Sequence, residues 1–165
     1  MLEINTKQII ESLIDTFLKA GKISLELRKK GLIKKIKSDN TPVTNGDLEV
    51  NEIISNKIIE LTPNLPIISE ETSDNKNMND LKNFWLIDPI DGTNDYVNNL
   101  EEFTINAGLI IEKKPAAGLI FAPAKNRMFY SYGENLAFEL KDGKSIKLNS
   151  SKNLNKNEIK FVSYS

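Results

Sequence analysis

The residues best able to do chemistry are packed into Asp88-Pro89-Ile90-Asp91-Gly92-Thr93, where two carboxylates stand three positions apart. Pro89 fixes φ and removes a backbone donor, so the turn is stiff. Asp88 and Asp91 can share one or two divalent ions, and the Ile90 carbonyl held between them is a further oxygen ligand. Glu70 closes another expected strand and joins the set if the two strands are neighbours. Three carboxylates and a carbonyl leave coordination positions for water and substrate, which suits magnesium because it dehydrates reluctantly. Two carboxylate-bridged ions can activate a water and stabilise the leaving oxygen of a phosphate ester. The N–H groups of Gly92, Thr93 and Asn94 offer a phosphate cradle at a helix start. Asp47 follows Thr44-Asn45-Gly46 at another helix start and, with the Thr93 hydroxyl, can form a pair that takes a proton from the attacking water.

Each of these residues also has a plainer reading. An Asp-x-x-Asp pair before glycine is by itself most often a turn. Asp47 alone is a first-turn acid or helix cap, Glu70-Glu71 a solvated loop, and Lys34, Lys35 and Lys37 a solvated strand face. Trp85 is read as core packing. The full hexapeptide, with Glu70-Glu71 upstream, tips the balance to metal binding.

Composition narrows the chemistry further. The chain has 165 residues, with no cysteine and no histidine. Disulfides, thiolate nucleophiles, cysteine-bound zinc and imidazole acid–base catalysis are therefore excluded within it. Catalysis has to rest on carboxylates, hydroxyls, lysines and backbone, and a carboxylate-only ion site favours magnesium, manganese or calcium. Basic and acidic residues number 22 and 23, for a net charge of −1. Such a balance gives no field to attract nucleic acid, so any polyanion must be met by a local site or an ion. Met1-Leu2-Glu3-Ile4-Asn5 lacks the basic region and apolar run of a signal peptide, and no stretch has the length of a membrane span. The expectation is a cytoplasmic protein.

The elements that must position these residues follow from periodicity. Ile9, Ile10, Leu13, Ile14, Phe17 and Leu18 recur at helical steps within Ile4 to Lys30, with Asn5 or Thr6 as cap and Gly31 as stop. Leu32 to Lys37 suits a short strand, and Ser38 to Pro42 a loop. A second helix is expected from Gly46 to Leu61, and a short strand at Pro66 to Ser69. Thr72 to Lys82 reads as a loop. Asn83 to Ile87 reads as a buried strand ending in the acidic turn, with a helix starting at Thr93. Phe103–Ile111, Ala116–Ala122, Arg127–Tyr132 and Leu136–Leu140 read as antiparallel strands divided by turn residues, with a further turn at Lys141 to Lys144. The sum is an α+β fold, two N-terminal helices on a mainly antiparallel sheet, over residues 1–150. Residues 151–165 read as a linker and the first strand of a further domain. An uncovered flank of the sheet leaves homo-oligomerisation open.

Ser69-Glu70-Glu71, the Asp88–Thr93 run and Lys37…Thr41-Pro42-Val43-Thr44…Asp47 resemble the inositol monophosphatase superfamily. The runs Lys37 to Thr44 and Glu102-Phe103-Thr104-Ile105-Asn106 are similar to its CysQ branch, the 3′(2′),5′-bisphosphate nucleotidases. The resemblance implies a layered α/β sandwich. It also implies a magnesium-dependent, lithium-sensitive phosphatase that converts adenosine 3′,5′-bisphosphate to AMP and phosphate. By motif position, Glu70, Asp88, the Ile90 carbonyl and Asp91 would bind Mg2+, and Thr93 with Asp47 would prepare the water. Asp91 through Asn94, with Lys37, would meet the phosphate. Members of the family continue for roughly another hundred residues, the size of a further domain, with a Trp-Asp motif that supplies another ligand. The lone tryptophan here is Trp85, so the expectation is an N-terminal half, weak or inactive in this truncated form. Two other readings stay open: an inositol monophosphatase-like sugar phosphatase, and a non-catalytic remnant that holds metal or phosphate.

Overall fold

The computed structural model describes residues 5–37, 42–71 and 80–149. Helix α1, Thr6–Lys30, starts where the Asn5 side chain accepts from the Gln8 N–H and stops at Gly31, whose φ is 98°. Its buried stripe is Ile10, Leu13, Phe17, Ala20, Gly21 and Ser24. Helix α2, Asn45–Leu61, buries Val50, Ile54 and Ile58 beside it. Both apolar stripes recur at three- and four-residue steps, as a helix laid on a sheet requires.

Two short strands, β1 (Lys34–Ile36) and β2 (Pro42–Thr44), pair antiparallel and lead into α2. The main sheet holds β3 (Ile67–Ser69), β4 (Phe84–Asp91), β5 (Thr104–Ile111), β6 (Lys114–Ala122), β7 (Arg127–Ser131), β8 (Ala137–Lys141) and β9 (Lys144–Lys147), hydrogen-bonded in that order. Among the described residues, only the β3–β4 pair is parallel. A five-residue helix, α3 (Thr93–Val97), follows β4. Strand alternation puts Trp85 and Ile87, Ile105, Ala107 and Leu109, Leu119 and Phe121, and Met128 into one core with the helices. At Gly21 a Cβ would run into the Phe121 ring, so glycine lets α1 lie close on β6. Trp85 is fully buried, and its Nε1–H donates to Thr62 Oγ1 at 3.1 Å.

The α+β layout, both long helices and the expected strands are present, with small shifts at their ends. Three local differences stand out. Strand β4 does not stop at Ile87 but runs through Asp91, with Asp88 opposite Asn106, Asp91 opposite Thr104 and a register shift between them. Pro89 falls in that shift, where a strand tolerates a missing donor. The turn after β5 is only Glu112-Lys113, both at positive φ (50° and 61°), so Lys114 is already in β6. Strands β2 and β9 were not expected; β9 is created by the tight Asp142-Gly143 hairpin, with φ of 50° and 74°. The linker from Ser150, the strand from Ile159 and most of the Thr72–Lys82 loop lie outside the described residues.

Candidate active site

The start of α2 is a capping box. Thr44 Oγ1 accepts from the Gly46 N–H at 3.0 Å and the Asp47 N–H at 3.4 Å. In return, Asp47 Oδ2 accepts from the Thr44 N–H at 2.8 Å and the Thr44 hydroxyl at 2.6 Å. The second oxygen, Oδ1, accepts from Thr93 Oγ1 at 3.4 Å, and the same hydroxyl lies 3.0 Å from the Ile90 carbonyl. Burial pushes the Asp47 carboxyl up, and the hydrogen bonds from Thr44, from its own N–H and from Thr93 work against that rise. Asp47 is thus both the helix cap and the partner of Thr93. Gly46 is required here because a Cβ would overlap the hydroxyl of Tyr96. Tyr96 in turn donates to the Ser24 carbonyl at 2.7 Å, tying α3 to α1.

Strand β4 delivers Asp88, the Ile90 carbonyl and Asp91 within four residues. Gly92 then turns the chain at φ 87°, where a Cβ would sit 2.7 Å from the Glu102 carbonyl. It caps α3 with no side-chain hydrogen bond. Asp88 is the electrostatic centre of the site. Its carboxyl is pushed up to about 7, first by burial, then by the charges of Glu70, Asp91 and Asp47. Its Oδ1 is buried with no hydrogen-bond partner. A half-buried acid that shares a hydrogen bond with Glu70, is ringed by three acids and has one oxygen orphaned is in the setting that a bound cation relieves.

Strand β3 runs parallel to β4, with Ser69 opposite Ile87, and so carries Glu70 and Glu71 alongside. The Lys37 ammonium lies 3.0 Å from Glu70 Oε1 and 2.9 Å from Glu71 Oε1. Burial disfavours that ammonium, but its hydrogen bonds to Glu71 and Glu70 outweigh the penalty and raise its pKa. The two acids differ in burial: the Glu70 side chain is 50% exposed and that of Glu71 only 4%. Burial raises the Glu71 carboxyl, and Lys37 opposes the rise. Ser69 Oγ donates to Asn51 Oδ1 at 2.6 Å and accepts from the Glu71 N–H at 3.3 Å, so α2 also braces this corner.

The structure brings Asp47, Thr93 and the Ile90 carbonyl into one hydrogen-bonded group, and sets Glu70, Asp91 and Asp47 within electrostatic reach of Asp88. Lys37 stands on Glu70 and Glu71. Among the described residues, no three acids are gathered into an arrangement that would hold a metal ion as it stands. The donor set nevertheless fits a hard cation: carboxylate and carbonyl oxygens, one of them buried and orphaned. Sequence reasoning missed Thr44, although Thr44-x-x-Asp47 is a capping pattern visible in the chain. It also missed Asn51, for which only the folded neighbourhood gives a signal.

A family model described as the inositol monophosphatase family matches residues 5–164. The chain belongs to this family. Among its relatives, the 3′(2′),5′-bisphosphate nucleotidase CysQ of Aggregatibacter actinomycetemcomitans is 31% identical over 149 residues, covering 89% of this chain and 55% of the relative. The CysQ of Buchnera aphidicola is 38% identical over 117 residues, covering 68% of this chain and 43% of the relative. The crystal structure of CysQ from Bacteroides thetaiotaomicron superposes with a TM-score of 0.62 at 25% identity, covering 86% of this chain and 51% of that one. The Thermotoga maritima IMPase gives 0.69 at 26% identity, covering 85% and 52%. The chain therefore spans about half the length of the family members it matches. No helix among its described residues is long and apolar enough to cross a membrane.

Proposed function

We propose that this chain carries the ion- and phosphate-binding part of a Mg2+-dependent phosphomonoesterase of the bisphosphate nucleotidase branch, acting on adenosine 3′,5′-bisphosphate to give AMP and phosphate. The observation that carries the reading is the Thr93 hydroxyl, set between the Asp47 carboxylate and the Ile90 carbonyl near the half-buried Asp88, whose Oδ1 has no partner. Glu70, Asp88, the Ile90 carbonyl and Asp91 would hold the ion. When bound, it would supply Lewis acidity and a water of lowered pKa.

The protein's own groups have defined tasks. Thr44 anchors one oxygen of Asp47, which leaves the other to accept a proton through Thr93. Gly92, Thr93 and Asn94 turn backbone N–H groups toward the phosphate, and the positive φ of Gly92 gives the chain the bend for this. Lys37 neutralises Glu70 and Glu71 and keeps the pocket from being purely acidic before a substrate with dianionic phosphate groups arrives.

The test has two arms on this 165-residue chain. Manganese alone should bind saturably, and adenosine 3′,5′-bisphosphate with magnesium should release phosphate faster than inositol phosphate does. Preference for inositol phosphate would move the chain to the sugar phosphatase branch. A second reading, a binding module without turnover, is favoured by the lack of a gathered acid triad among the described residues. Saturable manganese binding with no phosphate release from either substrate would establish it. Absence of manganese binding defeats both.

A further inference from the structure

The ladder between β4 and β5 sets Asp88 directly opposite Asn106, just before the register shifts. Opposed residues of an antiparallel pair share a face, with Cβ atoms about 5 Å apart. Ile105 and Ala107, which flank Asn106, point into the helix-covered core. Alternation therefore turns Asn106 to the other face, beside Asp88. The two side chains have the same deficiency: Asp88 Oδ1 and Asn106 Oδ1 are each buried without a hydrogen-bond partner. While Asp88 is ionised, its carboxylate and the carboxamide oxygen are both acceptors, so these two oxygens do not satisfy each other. Buried acceptors are otherwise nearly always paired, and two unpaired on adjacent strands call for a shared donor or cation. Both are also hard oxygens of the type magnesium and manganese select.

We propose that Asn106 is a positioning residue of the cation site, its carboxamide oxygen accepting from a water held by the ion at Asp88. The inference rests on the phosphatase reading above and adds a residue outside the acidic hexapeptide. Outer partners of this kind orient the ligands, and losing one typically costs about 10-fold or more in ion affinity.

The experiment is a titration of the full chain with manganese alone, by calorimetry, beside thermal melts with and without the ion. Asn106→Leu and Asn106→Ala should each bind about 10-fold more weakly, while Asn106→Asp, which keeps an oxygen acceptor, should retain affinity. Ion-free Asn106→Leu should melt at or above the parent, because deleting an unpaired buried acceptor removes a penalty. Its manganese-induced rise in melting temperature should shrink. A purely structural asparagine would show the reverse, a lower ion-free melt with affinity intact. Parent-like affinity in both Asn106→Leu and Asn106→Ala, with binding abolished in Asp88→Asn, would overturn the role of Asn106 and leave the phosphatase reading standing. No saturable manganese binding by the parent chain would overturn both.

Discussion

Asp47 sits in the first turn of α2 with both oxygens engaged, whereas Asp88, on β4, has an oxygen buried with no partner. Both acids are withdrawn from water, and burial raises both. Asp47 is then pulled back by donors from Thr44 and Thr93, while Asp88 meets only the further acids Glu70, Asp91 and Asp47. The fold thus holds one carboxylate in a fixed, satisfied geometry and leaves the other in an electrostatic debt that a cation can relieve. The first arrangement suits a group that receives a proton in a set direction; the second suits a ligand. A fully satisfied polar group also stabilises the apoprotein, and an unsatisfied one makes stability depend on what binds.

The comparison breaks most sharply at Asp88. We expect Asp88→Asn to lower manganese affinity about 100-fold or more, since it removes a ligand charge rather than a supporting contact. The same change should stabilise the ion-free chain. Asp88 keeps its proton up to about 7 in the fold, against about 4 in the unfolded chain. Between those values the folded state binds more protons, so stability falls as pH rises through the window. In chelator at pH 8, Asp88→Asn should melt roughly 5 °C above the parent, and the gain should vanish near pH 4. Equal melts at both pH values would show that Asp88 is not crowded by its neighbours.

Gly92 comes next, because it sets the direction in which β4 hands over to α3. Its φ of 87° and the Glu102 carbonyl 2.7 Å from any Cβ leave a side chain no relaxed placement. Gly92→Ala should therefore lose about 2 kcal/mol in urea denaturation. A loss under about 0.5 kcal/mol would mean that the turn yields easily and cannot be the rigid element the site needs.

How much of this was legible in the chain differs between the same two regions. The helices were readable because Ile10, Leu13 and Phe17, and Val50, Ile54 and Ile58, sit at helical spacing, with Asn5 marking the first start. The acidic hexapeptide was readable as a place where Asp88, the Ile90 carbonyl and Asp91 come together at a strand end, and β4 delivers them so. The surroundings of Asp88 were not. They depend on cross-strand register, which a strand sequence leaves open until its partner is known. Hence Asn106, eighteen positions downstream, gave no sign of facing Asp88. The strand through Asp91 was hidden for a related reason: Pro89 and Asp91 argue for a turn, and only the register shift lets a ladder continue past them. Strand β9 is exposed along its whole length, so no apolar alternation marks it.

The smallest effects separate the two duties of Asp47. Asp47→Ala removes the return half of the capping box and should cost about 1–2 kcal/mol by thermal or urea denaturation. Thr93→Val keeps the shape of the residue and leaves every Thr44–Asp47 contact in place, removing only the long 3.4 Å bond to Asp47 and the bond to the Ile90 carbonyl. Its stability should change by no more than about 0.5–1 kcal/mol. If phosphate release is measurable, it should fall about 100-fold or more in both variants, because each breaks the path from water to carboxylate. A Thr93→Val chain as unstable as Asp47→Ala would mean that the hydroxyl holds the fold together. One of unchanged activity would free Asp47 to act as a cap alone, and the satisfied carboxylate would then have no chemical task to set against that of Asp88.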